Sequence, residues 1–543
     1  MSEAAADAKL RFASPRNRYL LPAVWFMAGF SRAVPGVAMR MLLISELRVE
    51  PAQQAVLGVW GGLPWNFKIF AAFLSDTVPL CGRRRVPYLG ASLMLQLIAY
   101  CVLANGVDSV GALGALDFTQ ACGMVGVGTM ADTLIVESMK RLDAGSASFG
   151  DLQANCWIAM FVASLVGNAL SGHLHATLGT RGVFALTALL KLLMLSLPAT
   201  LSDAAGHRLL CTSRSKLVEL RREIVDGASD PRVWKPVLFL FVFAACPTNA
   251  DAWTSFLYGR AEEPEHSAAA ADATANTTAR PHVLQPLHLD ETVLGYVGVV
   301  TTLSQAAGAT LYRCFLKRLR LRPLFASIVA ASSLLQLTQL VLIERVNVAV
   351  GVPDVAFVLG DDAVLEVSRE LLAMPMMVMM AALCPDGAAS TVFALLTSVQ
   401  MAGATLSGSL SSGLTRAVGV RLGDFSRLPH LTLACVAIRL GTLLALGLVP
   451  RLSIADLEAQ VGRSRRAGGG ALRRPRAFAP LEEEAEAGSS TAKAGALPAP
   501  TELEHADAIQ ASAHRRSPFG ALLLFTLIGT SLIWSLSTML TNL

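Results

Sequence analysis

Charge is scarce in this chain. Asp, Glu, Lys and Arg make up 16% of 543 residues, against about a quarter in ordinary soluble domains. Aromatic residues are sparse too, at 6%. So few charges could not cover a soluble fold of this length, which argues against a soluble enzyme. The nine cysteines, among them Cys81, Cys122, Cys211, Cys314 and Cys384, have no metal-type spacing, and none lies in a clear outer loop. They read as free thiols rather than a disulfide framework or metal centre. Three catalytic signatures are missing: a P-loop, a His-Glu metal pattern, and a Ser-His-Asp order in a pocket-like context. The glycines of Gly58 to Gly62 read as helix packing or as a kink beside Pro64. The chain is therefore expected to be neither an enzyme nor ATP-driven, and to need no cofactor or metal.

What the chain does have is apolar length. Hydrophobic residues reach 53%, and nearly uncharged runs of about 20 residues mark about twelve helices between Leu20 and Pro450, plus one more from Pro518 to Leu543. The first set runs Leu20 to Leu47, Ala52 to Val78, Val86 to Ala104, Gly111 to Val136, Gly150 to Ser171 and Gly182 to Leu201. The second runs Lys235 to Tyr258, Thr292 to Phe315, Leu324 to Ile343, Val355 to Leu383, Ala388 to Leu410 and Pro429 to Val449. The expected organisation is a head (1–19), a first half (20–201), a connector (202–234), a second half (235–450) with an outer loop (259–290), a disordered tail (451–517) and a terminal helix (518–543). The terminal run is long enough to span, and an in-plane anchor or a helix against the bundle side is the other reading. Lipid bilayer is the first partner this implies.

Charge asymmetry orients the bundle. Lys9, Arg11, Arg16, Arg18, Arg83 to Arg85, Lys140, Arg141, the Arg208 to Arg232 loop and Lys317 to Arg322 fall on one side. The other side holds scattered arginines such as Arg48, Arg181, Arg260, Arg345 and Arg421. Positive residues concentrate inside, so the N-terminus is expected in the cytoplasm. The net charge of +5 then reports topology and not nucleic-acid binding. The head is too short and charged for a signal peptide. Asn276, in Asn276-Thr277-Thr278, is a glycosylation candidate on the outer loop. The sequon and the short head favour the plasma membrane, with plastid or endomembrane as alternatives.

Ionisable groups inside membrane helices are costly unless they pair or line a water-filled cavity. The first helix carries Arg32, Arg40 and Glu46, and the second carries Lys68. The fourth has Asp117, Asp132 and Glu137, the seventh Asn249 and Asp251, and the tenth Asp361, Asp362, Glu366, Arg369 and Glu370. In the tenth, Asp362, Glu366, Arg369 and Glu370 recur at three- and four-residue intervals and share a face, where Arg369 can pair with Glu366. That face is either a structural salt-bridge network or a substrate or proton path. Asp132 is either a coupling or ligand-contact group or an ion-pair partner of Lys68 or Arg32.

The junction between the second and third runs carries the most specific pattern: Pro64-Trp65 with Lys68, then Ser75-Asp76, Pro79, Gly82, Arg84-Arg85 and Arg85-Val86-Pro87-Tyr88. It resembles the corresponding loop of major facilitator transporters and, more narrowly, the folate-biopterin transporter family. Further matches are Gly150-Asp151, Leu294-Gly295-Tyr296, Leu359-Gly360-Asp361 with Glu366, Met374-Pro375, and Cys384-Pro385 followed by Thr391-Val392-Phe393. Gly128, Ala389 and Met401 depart from the family pattern. The resemblance implies an all-α membrane protein: a major facilitator-type twelve-helix bundle of two six-helix halves plus the extra terminal helix. The first, fourth, seventh and tenth helices would line the cavity, and Asp76, Arg83, Arg84 and Arg85 would form a gating loop. The implied activity is secondary active transport of folate, biopterin or related pteridines by alternating access, coupled to protons. Another small polar metabolite, or a non-transporting sensor or scaffold, are the alternatives.

A pterin is flat, with hydrogen-bonding groups along its edge, and folate adds an anionic tail. Trp65, Trp253 and Tyr258 are candidate stacking groups, Asp132 or Glu366 a candidate edge acceptor, and Arg40, Lys68 or Arg369 candidate tail partners. For Trp253, core packing is the competing reading.

Overall fold

The structure, a computed structural model, describes residues 16–141, 148–201, 229, 231–259, 284–316, 319–383, 389–450 and 519–541. The first apolar run folds as α1 (Arg16–Ala33) and α2 (Gly36–Met41), and closes in a π turn at Leu42–Glu46. The break falls at Pro35, which has no N–H to continue the ladder. The next run is α3 (Pro51–Gly62) and α4 (Lys68–Thr77), parted by a 3₁₀ turn at Leu63–Phe67 that contains Pro64. After α5 (Val86–Asn105) and α6 (Val110–Arg141) comes α7 (Ser148–Met194), 47 residues long with non-helical Gly179 (φ 68°) inside it. A straight helix of that length would measure about 70 Å. Instead Cys156 and Met194 share one buried cluster, so the chain doubles back at Gly179, between two runs that the sequence separates.

The C-terminal group contains α8 (Pro231–Ala244), α9 (Ala250–Tyr258), α10 (Glu291–Leu311), α11 (Leu321–Gln336), α12 (Thr338–Ile343), α13 (Asp354–Leu383), α14 (Ala389–Val418) and α15 (Leu428–Gly441). The start of α10 is set by Asp290, whose carboxylate accepts from the Thr292 N–H as an N-cap. The terminal run is α16 (Phe519–Thr541).

Among the described residues, seven helical stretches are long and apolar enough to cross a membrane: Tyr19–Glu46, Val86–Asn105, Val110–Ile135, Ala154–Thr200, Leu321–Ile343, Leu428–Leu448 and Phe519–Thr541. The shortfall against the expected count has physical causes. Ala154–Thr200 holds two expected runs in one stretch. The α3/α4 and α8/α9 runs are interrupted, α13 carries the acidic cluster, and α10 and α14 are diluted by Thr, Ser, Gly and Gln.

In lipid, apolar contact excludes no water, so helices associate by close packing and internal polar bonds. A buried cluster of Leu21, Leu89, Leu93, Met130, Leu134 and Met194 joins α1, α5, α6 and α7. Phe239, Phe325, Met379 and Val399 hold the C-terminal helices together with Leu524 of α16. Val37, Met41 and Ile44 share a cluster with Phe256, Val293 and Phe425, so the two helix groups meet at the Ile44 end of the first run. α16 lies against the bundle side: Ser531 Oγ donates to the Ala402 carbonyl at 2.6 Å, and Met539 packs on Val56, Val59 and Leu63 of the other group. The seven described cysteines are all free.

Several expectations fall outside the described residues: the head up to position 15, most of the connector, the outer loop with Asn276, and the tail. The side chains of Asp76, Glu137, Asp151 and Ala389 are likewise not described.

Candidate functional site

Proline breaks and positive-φ turns place the charged side chains. Past Pro35, Arg40 of α2 meets Asp251 in the first turn of α9, Nη1 to Oδ1 at 3.0 Å, which ties one helix group to the other. Past Pro64, Lys68 opens α4 and reaches Asp132 of α6 at 3.1 Å. Arg40 and Asp251 side chains are 42% and 25% exposed, and Lys68 and Asp132 43% and 39%. Charges within apolar runs are costly against lipid, so partly exposed pairs like these are expected to face water-filled space.

The polar face of α13 has two directions. Asp362 accepts from Thr301 Oγ1 at 2.8 Å and Glu366 from Gln305 Nε2 at 2.9 Å, so both point at α10. Glu370 follows them, lying where a Cβ on Gly308 would come within 2.7 Å of its own Cβ. Glu366 is 10% exposed and accepts from Arg369 Nη1 at 3.0 Å, while Arg369 is 61% exposed. The acids thus sit at a helix–helix seam, and the guanidinium is the group that emerges from it. One turn away Asp361 accepts from Thr338 Oγ1 of α12.

Further polar bonds cross between the groups from the Ile44 end to about mid-length. Gln54 Nε2 donates to Ser255 Oγ at 3.0 Å, and Asn66 Nδ2 to Thr405 Oγ1 at 3.0 Å. Asn168 Nδ2 donates to the Gly298 carbonyl at 3.1 Å and to Thr302 Oγ1 at 3.2 Å. Buried His175 contacts Glu291 Oε2 through Nδ1 at 2.5 Å and Thr180 Oγ1 through Nε2 at 3.0 Å, and Thr180 in turn donates to Glu46. α7 and α10 approach closely here: a Cβ on Gly172 would lie 2.8 Å from Thr292 Cα.

The aromatic candidates fare unequally. Tyr258 is 4% exposed inside the Phe256 cluster, which removes it as a stacking face. Trp253 packs on Phe256, ring centroids 5.8 Å apart at 35°. Trp65 stays half-buried in the 3₁₀ turn. In the basic turn, Cys81 and Gly82 take positive φ, 51° and 71°, bending the chain so that Leu80 and Arg83 pair through their backbones. Arg83 is exposed, Arg84 half-buried, and Arg85 is buried and donates to Ser75 Oγ.

Three residues escape the sequence reading, Lys191, His175 and Asn168, whereas Arg32 is one of its candidates. Lys191, in the last part of α7, is 4% exposed and donates from Nζ to Ser31 Oγ of α1 at 2.8 Å; its signal is a lone lysine in an otherwise apolar run. Asn168 is a polar residue inside another such run, and His175 lies between that run and the next. Arg32 is exposed, without a hydrogen-bond or ion-pair partner among the described residues.

Membrane-length helices, charges paired across two helix groups and polar seams between them define a multi-pass membrane protein of the transporter type. A solved POT family transporter in complex with 5-aminolevulinic acid has the same fold: TM-score 0.53 at 14% identity, covering 79% of this chain and 96% of that one. The model of the BT1 family matches residues 28–467, and the chain belongs to that family. It is similar to the folate-biopterin transporter of Synechocystis sp., 32% identical over 419 residues that cover 76% of this chain and 78% of the relative. It is also similar to probable folate-biopterin transporter 4 of Arabidopsis thaliana, 26% identical over 457 residues, 76% of this chain and 90% of that one.

Proposed function

We propose that this protein is a secondary active transporter of folate, biopterin or related pteridines, moving its substrate by alternating access between its two helix groups. The observation that carries the reading is the Arg40–Asp251 pair. It joins the groups at 3.0 Å through partly exposed side chains, a contact that can break and reform as the groups rock around a midplane site. Names of the relatives support the substrate class. Half-buried Trp65 offers an aromatic face, and Asp132 an edge acceptor when Lys68 releases it. We read the bundle as two halves, 20–201 and 235–450, joined by the connector 202–234, with the N-terminus in the cytoplasm and the plasma membrane as host.

Proton coupling is part of the proposal. Asp132 and Glu366 are each held by one cation, Lys68 and Arg369, so a proton taken up by the carboxylate would free its partner. The test is uptake by vesicles containing only this protein. Time-dependent accumulation of biopterin or folic acid, increased by an inward proton gradient, is the expected result. Accumulation of neither, with the protein folded, would favour the sensor or scaffold reading.

A further inference from the structure

The cations on the membrane helices divide into two kinds. Arg40, Lys68 and Arg369 are each spoken for by a carboxylate, at 3.0, 3.1 and 3.0 Å. Those three are the residues a sequence reading offers to an anionic substrate tail. Arg32 and Lys191 differ. Lys191 is 4% exposed, and among the described residues its hydrogen-bond partner is the neutral Ser31 hydroxyl at 2.8 Å. Arg32 follows Ser31 in α1, is exposed, and has no hydrogen-bond or ion-pair partner among the described residues. Ser31, the residue that Lys191 holds, directly precedes Arg32, so both cations lie at the same turn of α1.

The surroundings are polar, and among the described residues no carboxylate forms an ion pair with Arg32 or Lys191. Tyr100 of α5 lies within electrostatic range of Arg32 and accepts from Gln120 Nε2 of α6 at 3.3 Å, leaving Gln120 Oε1 buried without a partner. The acid that α6 contributes nearby, Asp117, has Arg40 as its electrostatic partner. A guanidinium without an ion-pair partner within a membrane bundle is expensive unless water or something anionic completes it. Arg32 presents a planar fork suited to a carboxylate, and the lysine behind it adds charge that the ligand need not touch first.

We infer that Arg32 and Lys191 form a carboxylate subsite, which receives the anionic tail of the transported substrate on the N-terminal side of the cleft. The inference rests on the pteridine-transport reading for the identity of the substrate, although the carboxylate subsite itself has an independent test. Folic acid, with its glutamyl carboxylates, would engage the subsite. Biopterin, which has none, would not.

The experiment uses the full-length protein in vesicles and compares half-saturation for folic acid with that for biopterin. In Arg32→Gln and Lys191→Met the folic acid to biopterin ratio is expected to rise about tenfold or more, the scale of a lost charge-assisted hydrogen bond, and Arg32→Lys should restore part of it. An unmoved ratio overturns the subsite. Purified protein supplies the second readout. p-Aminobenzoylglutamate should raise the melting temperature of the wild type and not of Arg32→Gln, an exposed position whose replacement leaves the buried clusters intact. No shift in the wild type, or an equal shift from chloride or acetate at the same concentration, also overturns the subsite. If neither pteridine is carried but p-aminobenzoylglutamate still stabilises through Arg32, the subsite stands and the pteridine reading falls.

Discussion

Arg40 and Asp251 are 211 positions apart in the chain, and their side chains meet at 3.0 Å between the two helix groups. Few other contacts connect the groups with full charges on both sides. If the pair is a gate, each single replacement, Arg40→Ala or Asp251→Ala, should slow transport, and the double replacement should slow it by less than the sum. A double-mutant cycle on uptake rates should return a coupling of about 1 kcal/mol, as for partly solvated pairs. Strict additivity would assign the two residues to separate roles.

Asp132→Asn and Glu366→Gln address coupling. Both replacements retain a hydrogen-bonding side chain and remove the titrating group. Gradient-driven uptake is expected to fall more than equilibrium exchange, because exchange does not require an unloaded carrier to return. Equal loss of both modes in vesicles would place these residues in binding or folding instead.

The approach of α7 to α10 should be intolerant of bulk. A Cβ on Gly172 would come within 2.8 Å of Thr292 Cα, whereas one on Gly413 of α14 would meet nothing within 4 Å. Overpacking costs about 1–3 kcal/mol, so Gly172→Leu should cut the uptake rate by roughly tenfold or more at normal abundance, and Gly413→Leu should leave it near wild type.

α16 touches both groups, through Leu524 and Ser531 on one and Met539 on the other. Removing 518–543 should lower the melting temperature and the amount of protein in the membrane, while half-saturation for biopterin stays the same. A tag after Leu543 that reacts with an impermeant reagent in intact cells would place that end outside. Reaction only after permeabilisation would contradict the span.

Local patterns carried the legible part of this fold. Apolar runs located the helices, Pro64 marks a break inside one of them, and the three-residue spacing of Glu366 and Arg369 anticipates their 3.0 Å contact. The Lys68–Asp132 pair was one of the options open to Asp132. What spacing does not encode is direction. The same periodicity that groups Asp362 with Glu366 leaves open whether they face the cleft, and they face Thr301 and Gln305 of α10. Tyr258 is a plausible stacking group in sequence and a buried core residue in space. His175 and Glu291 lie 116 positions apart, and only tertiary packing brings such residues together. Lys191, a lone lysine in an apolar run, is absent from the sequence reading, and its partnership with Ser31 depends on the fold of α7 back onto α1.

Solute counterflow tests the central claim most directly. Vesicles containing the purified protein are loaded with unlabelled biopterin, diluted, and given trace labelled biopterin outside. A carrier that alternates access should concentrate the label inside transiently, above the level reached in unloaded vesicles, before it declines. Label that never exceeds the level in protein-free vesicles, for biopterin and for folic acid alike, would contradict the account.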